Sequence, residues 1–229
     1  MIKKIAKKIL GIKDYLPPDE MLNSLSHVSS LNPIVVYDLG AAEGNWSVNT
    51  KKIWPNATFF LVEPLIEQKE NLKTLCLGNK NFIYIEGAAG AKKDVVNISV
   101  SDDLDGSGFY GTGNLREVII YSLDQINQLH QLSGPYFLKF DTHGYELPIL
   151  EGATETLKNT VGIIMECYNY QISPTAILFQ YMVLKMEKLG FKVFDMVNLM
   201  RRPKDQSIWQ CDIVFLRSEH PFFVDQNYQ

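Results

Sequence analysis

The chain has 229 residues, 46% hydrophobic and 21% charged, with a formal net charge of -4. That length buries a full α/β core without disulfides or a partner, so a single domain is expected. The acidic balance gives no support to a nucleic-acid surface, which shows as a basic excess, and no apolar run approaches the ~20 residues that span a bilayer.

Cys76, Cys167 and Cys211 are odd in number, far apart and without CxxC spacing. They suggest neither a disulfide framework nor a zinc knuckle, and a reducing cytoplasm fits them best. The start, MIKKIAKKILGIK, sets Ile2, Ile5, Ile9 and Ile12 at helical spacing among Lys3, Lys4, Lys7, Lys8 and Lys13. It has no long apolar stretch or small-residue cleavage site of the signal-peptide kind. The same pattern suits a helix lying weakly on a membrane surface and one packed on the domain with its lysines in water. The packed form is preferred, because one short helix adds little membrane affinity. Residues 1–32 therefore read as a basic helix plus connector, and 33–229 as the domain proper.

A short helix is expected around Asp19 to Ser29, after Pro17 and Pro18. IVVYDLG is a β-branched run ending in glycine, as in a strand buried on both faces of a parallel sheet. GNWSVNTKKIW then has helical spacing, ATFFLVEP is a second buried strand, IEQKENLKTLCLGNK a helix and FIYIEGAAG a third strand. This βαβαβ order predicts a doubly wound sheet with helices on both faces. VVNISVS and REVIIYSL read as strands around SDDLDGSGFYGTGN, which has four glycines and no apolar period. That stretch is expected to be a mobile loop, either a lid or acceptor-binding loop or an exposed hairpin connection. The β-α rhythm resumes with strand PYFLKFD, helix ELPILEGATETLKN, strand GIIMECY and a long helix SPTAILFQYMVLKMEKLG. FKVFDMV and CDIVFLR close the chain without a helix between them, so the last strand is expected to run antiparallel.

VVYDLGAAEGNWS carries the first chemical signal. A strand delivers Asp38, Gly40 permits a tight turn, and Gly44 stands at the mouth of the next helix. Backbone N–H groups there suit an anion: the pyrophosphate of a dinucleotide, or the carboxylate of a methionine-derived cofactor with Asp38 answering its ammonium. A dinucleotide fingerprint wants G-x-G-x-x-G, whereas Gly40 and Gly44 flank Ala41, Ala42 and Glu43. Glu63, closing the second strand at the expected offset, is placed to accept from both hydroxyls of a ribose.

With FLVEP, the AAG after the third strand, VIIYSLDQI, LKFDTHGYELPILEGA and GIIMECY, the chain resembles the FkbM-type methyltransferases from about Val35 to the last strand. The most specific piece is LKFDTHGYELPILEGA, with its lysine, aspartate, glycine, acidic residue and Gly-Ala. The resemblance implies a Rossmann-like class I methyltransferase fold, namely a seven-stranded, mostly parallel sheet with an antiparallel last strand. It also implies S-adenosylmethionine as cofactor and O-methylation of a saccharide or other small polar hydroxyl acceptor. The positions expected to seat the cofactor are Asp38, Gly40, Ala41, Gly44, Glu63, Ala88 and Asp141. Two positions depart: the family commonly has Asn at Ala42 and often Glu at His143.

An alcohol must lose its proton when methylated, so a base or a metal is expected beside the methyl group. Asp141, His143 and Glu166 lie at the ends of the fourth and fifth main strands. His143 is expected as base, Asp141 as the group orienting it or the cofactor ammonium, and Glu166 as the holder of acceptor hydroxyls. No metal is expected; were one bound, the same Asp141, His143 and Glu166 would hold it. Lys139, inside an apolar strand, is expected to pair with a sheet-end carboxylate. Tyr145, Tyr168 and Tyr170 suit an acceptor ring, and Arg201 and Arg202 an acidic acceptor, although rim packing and a solvated hairpin explain them as well. The alternatives are an NAD-type oxidoreductase and a cofactor-binding scaffold without turnover.

Overall fold

The computed structural model of the chain describes residues 19–102, 104, 106–110 and 113–228. The basic helix expected at residues 1–13 lies outside them. Helix α1 (Glu20–His27) starts at an Asp19 cap, whose carboxylate accepts the Leu22 N–H at 3.0 Å. Strands β1 (Val35–Leu39), β2 (Thr58–Glu63) and β3 (Phe82–Glu86) alternate with α2 (Asn45–Thr50) and α3 (Ile66–Gly78). Two-residue β4 (Ala88–Ala89), β5 (Asp94–Val100) and β6 (Asn114–Tyr121) form a separate three-stranded sheet. The main sheet resumes at β7 (Tyr136–Phe140) after α4 (Leu123–His130), and at β8 (Thr160–Tyr168) after α5 (Glu146–Glu151) and α6 (Thr154–Lys158). Helix α7 (Phe179–Lys188), strands β9 (Phe191–Arg201) and β10 (Ile208–Arg217) and the short α8 (Pro221–Val224) complete the chain.

The seven main strands lie in the order β3-β2-β1-β7-β8-β10-β9. β1 pairs in parallel with β2 and β7, β7 with β8, and β10 runs antiparallel to both β8 and β9. Side chains alternate between the faces, and both are buried. Val35, Tyr37, Leu39, Leu138, Phe140, Ile163 and Met165 pack with α4 to α7, whereas Val36, Phe59, Leu61, Phe137 and Ile164 pack with Leu25 of α1 and Leu72 of α3. Such strands read as continuous apolar runs. Strand order reverses between β1 and β7, which puts a crevice at their carboxyl ends.

Two helices are shorter than the periodicity predicts, and polar side chains account for both. The run 146–159 breaks because Asp124 accepts the amides of Glu155 and Thr156 (3.0 and 2.8 Å) and starts α6 afresh. The run 173–190 is helical only from Phe179. Ser173 Oγ accepts the Ala176 N–H at 3.0 Å, and Thr175 Oγ1 donates to the Gly144 carbonyl at 2.6 Å. Those bonds fold 173–178 as a turn over the loop after β7. No helix among the described residues is long and apolar enough to cross a membrane.

The Phe137 ring is fully buried, 4.7 Å from Trp54. Phe137→Ala is expected to cost about 3–5 kcal/mol of unfolding free energy, seen as a lower urea midpoint at unchanged m-value. A loss below about 1 kcal/mol would show that this face of the sheet is not tightly packed.

Candidate active site

A cavity of about 260 Å³ opens at the carboxyl ends of β1, β2 and β7. Of the expected cofactor residues, Gly40, Glu63, Ala88 and Asp141 line it, as does His143. Asp38, Ala41, Gly44 and Glu166 do not form its wall. Gly40 and Gly44 both have left-handed backbone, φ 75° and 77°. A Cβ on Gly40 would stand 2.0 Å from the Asp141 carbonyl oxygen, so glycine lets the loops after β1 and β7 touch.

The turn is held by its own amides. Gly40 and Ala41 donate to the Val62 carbonyl, Gly44 donates to that of Ala41, and Ala42 donates to Glu63 Oε2 at 2.8 Å. These four amides are therefore committed inside the protein rather than presented to an anion. Ala42 is itself left-handed, φ 46°, a conformation that Asn tolerates better than Ala.

Glu63 is 4% exposed and accepts the Leu65 N–H at Oε1 (2.9 Å) as well as that of Ala42. Burial raises its carboxyl above the ordinary range, and the two amides oppose that. Each oxygen keeps a lone pair for a hydroxyl donor from the cavity. Leu65, Ile98 and Leu104 make an apolar wall beside it. A carboxylate for a ribose and an apolar wall for a base fit an adenosyl group.

Lys139 is buried among acids at the end of β7. Its Nζ is 2.9 Å from Asp38 Oδ1, 3.2 Å from Asp141 Oδ2 and 2.8 Å from the Gly40 carbonyl oxygen, to which it donates. Asp38 also accepts from Ser47 Oγ at 2.7 Å and is wholly buried, whereas the Asp141 side chain is 43% exposed. Burial alone would lower the Lys139 ammonium, yet the two aspartates hold it above its usual range. Burial would likewise raise the Asp141 carboxyl, but Lys139 and His143 keep it well below the usual carboxylate range.

Asp141, His143 and Glu166 do converge. His143 Nε2 is 3.4 Å from Asp141 Oδ1 and 3.7 Å from Glu166 Oε2, and one ligand atom from each residue falls within 4.8 Å of the others. The hydrogen bond to Asp141 raises the imidazole above its usual 6.5, burial opposes this, and Glu166 adds to the rise. Burial, reinforced by Asp141, pushes the Glu166 carboxyl up to about 7. Glu166 accepts from the Tyr168 hydroxyl and from Gln210 Nε2. Burial also lifts Asp212, its cross-strand neighbour, to about 6.

The other candidates are engaged in packing. Phe109 stacks on Tyr145 with ring centroids 3.5 Å apart, Tyr170 lies between Trp209 and the Arg202 guanidinium, and Arg202 pairs with Asp205. Arg201 donates to the Gln206 carbonyl. Sequence reasoning missed Gln68 and Ile98 in the cavity wall and Gln210 behind Glu166, and it named the stretch that holds Leu104, Ser107 and Phe109 without naming those residues. The glycine-rich stretch, expected as a mobile lid or acceptor-binding loop or as an exposed hairpin connection, is tied to β5 by a two-way Ser99–Gly108 backbone bridge (2.8 and 3.0 Å).

The sequence profile of the family described as "Methyltransferase FkbM domain" matches residues 38–193. No curated protein matches the chain. Among solved structures, a methyltransferase FkbM from Methylobacillus flagellatus superposes with TM-score 0.51 at 15% identity, covering 79% of this chain. The chain spans only 42% of that protein's length. Aeropyrum pernix fibrillarin, solved with natively bound S-adenosyl-L-methionine, superposes with TM-score 0.50 at 16% identity over 93% of this chain and 74% of its own. At such identities the likeness concerns the fold, which is the Rossmann-like class I methyltransferase fold the sequence led us to expect.

The Glu166 carboxyl holds its proton more tightly folded than unfolded, so unfolding releases a proton between about pH 4.5 and 7, and stability falls as pH rises through that window. Glu166→Gln removes this component. Relative to wild type, the variant is expected to gain on the order of 2–3 kcal/mol between about pH 5 and pH 8 in urea unfolding. Parallel stability–pH curves for the two proteins would show that Glu166 titrates normally.

Proposed function

The chain belongs to the FkbM methyltransferase family, and from that premise we propose that it methylates a hydroxyl oxygen of a saccharide or similar small polar acceptor. S-adenosylmethionine, when bound, supplies an electrophilic methyl group on a sulfonium. One observation carries the reading: a single cavity is lined by Glu63, by the apolar side chains of Leu65, Ile98 and Leu104, and by Asp141 and His143. The supporting amides of Ala42 and Leu65 aim the Glu63 carboxylate at ribose hydroxyls. Asp141, the partly exposed member of the ion cluster, answers an ammonium. Leu65, Ile98 and Leu104 exclude water from the adenine.

His143 takes the acceptor's proton. Its ring stands between Asp141 and Glu166, so the imidazolium that forms meets negative charge on two sides. Glu166, held by Tyr168 and Gln210, is left to orient acceptor hydroxyls. Holding the acceptor oxygen in line is the main contribution asked of these residues. No metal enters this reading. The acceptor is a small molecule rather than a nucleic acid, supported by 26 acidic against 22 basic residues. A cytoplasmic setting belongs to the same reading, since all three cysteines are free thiols.

With a panel of polyhydroxylated acceptors and a radiolabelled methyl donor, transfer is expected to survive excess chelator. Its rate should climb with pH through a limb centred above 6.5, owned jointly by the coupled His143–Glu166 pair. His143→Ala should lower kcat by about 10²-fold or more at unchanged cofactor affinity. Full turnover by that variant would remove His143 from the base role, and abolition by chelation would put a metal there instead.

A further inference from the structure

In the buried ion cluster the proposed reaction uses Asp141 and gives no task to Lys139 or Asp38. The Lys139 ammonium touches the ends of two strands at once: Asp38 on β1, Asp141 just after β7, and the Gly40 carbonyl in the turn that follows β1. The two aspartates differ in what else they meet. Asp38 has no exposed surface and a second donor in Ser47, whereas Asp141 lines the cavity. Two carboxylates share one ammonium. One negative charge is left over, and it rests on the aspartate that faces the cavity.

We infer that Lys139 is a positioning residue for the cofactor: it retires Asp38 into the protein and leaves Asp141 with the charge that receives the cofactor's ammonium. This rests on the methyltransferase reading and adds a division of labour between two acids that look equivalent in the sequence. Lys139 sets the sign and place of the leftover charge and fixes where its carboxylate points, since the Gly40 bond holds the two loops in register. A purely structural lysine would have the same contacts, but its loss would not discriminate between ligands with and without an ammonium.

Calorimetry with two nucleosides makes that distinction. S-adenosylhomocysteine carries the amino-acid arm; 5′-methylthioadenosine lacks it. Lys139→Met crowds two acids together, and Asp38→Asn gives the whole ammonium to Asp141. Each single variant is expected to weaken S-adenosylhomocysteine by about tenfold or more, as losing a charge-assisted hydrogen bond does, and to leave methylthioadenosine within about threefold. Asp38→Asn/Lys139→Met frees Asp141 again and should restore S-adenosylhomocysteine to near the wild-type affinity. If Lys139→Met does not fold, the double variant against Asp38→Asn alone carries the same comparison.

Equal losses for both nucleosides, an unchanged S-adenosylhomocysteine affinity in the singles, or losses that add up in the double variant would overturn the inference alone. A wild-type protein that binds neither nucleoside overturns the methyltransferase reading, and this inference with it.

Discussion

An ammonium buried at the reversal point of a parallel sheet governs the architecture of this site. Taking Lys139 out of water costs several kcal/mol, which only close pairing offsets, and that pairing needs acids at the ends of two adjacent strands. Asp38 and Asp141 provide them, and Gly40 has no Cβ to keep the loops apart. The touching loops then define one cavity rather than two shallow grooves. Remove one acid and the ammonium is stranded; remove the ammonium and the acids repel.

Charge declines in a graded way from that centre. Asp141 is held ionised by Lys139, His143 is biased toward its protonated form by Asp141, and Glu166 and Asp212 are pushed toward neutrality at about 7 and about 6. An acceptor hydroxyl entering beside His143 meets groups that exchange protons near neutral pH, while the cofactor end keeps a fixed charge. Both ends sit on backbone in the left-handed region, at Ala42 (φ 46°) and His143 (φ 50°). Such residues persist only where surrounding bonds hold them. At Ala42 that bond is the one to Glu63, so the carboxylate aimed at a ribose also stabilises the turn that carries it.

Much of this was legible in the sequence, for physical reasons. Strands buried on both faces leave unbroken apolar runs, so IVVYDLG, ATFFLVEP and PYFLKFD marked the sheet, and the acids at their carboxyl ends marked the crevice. Convergence of Asp141, His143 and Glu166 followed from parallel neighbours ending at the same level. The fate of Asp38 was hidden, because a strand-end acid reads alike whether it faces a ligand or a buried lysine on β7, a neighbour in the sheet but distant in the chain. That Ile98, Leu104 and Phe109 form the wall was hidden too, although the stretch holding the last two was offered as a lid or acceptor-binding loop. The wall depends on a ribbon folding back over the cavity and on a stack between Phe109 and Tyr145, contacts that leave no periodicity in the chain. Asp124 and Thr175 cut two helices short through side-chain bonds to distant backbone, which helical spacing does not encode.

A crystal structure of the protein with S-adenosylhomocysteine tests the central claim most directly, since it shows which carboxylate meets which part of the ligand. The account predicts both ribose hydroxyls on Glu63, the ammonium on Asp141, and Asp38 still paired with Lys139 away from the ligand. An ammonium seated on Asp38, or a ribose bound away from Glu63, would contradict it.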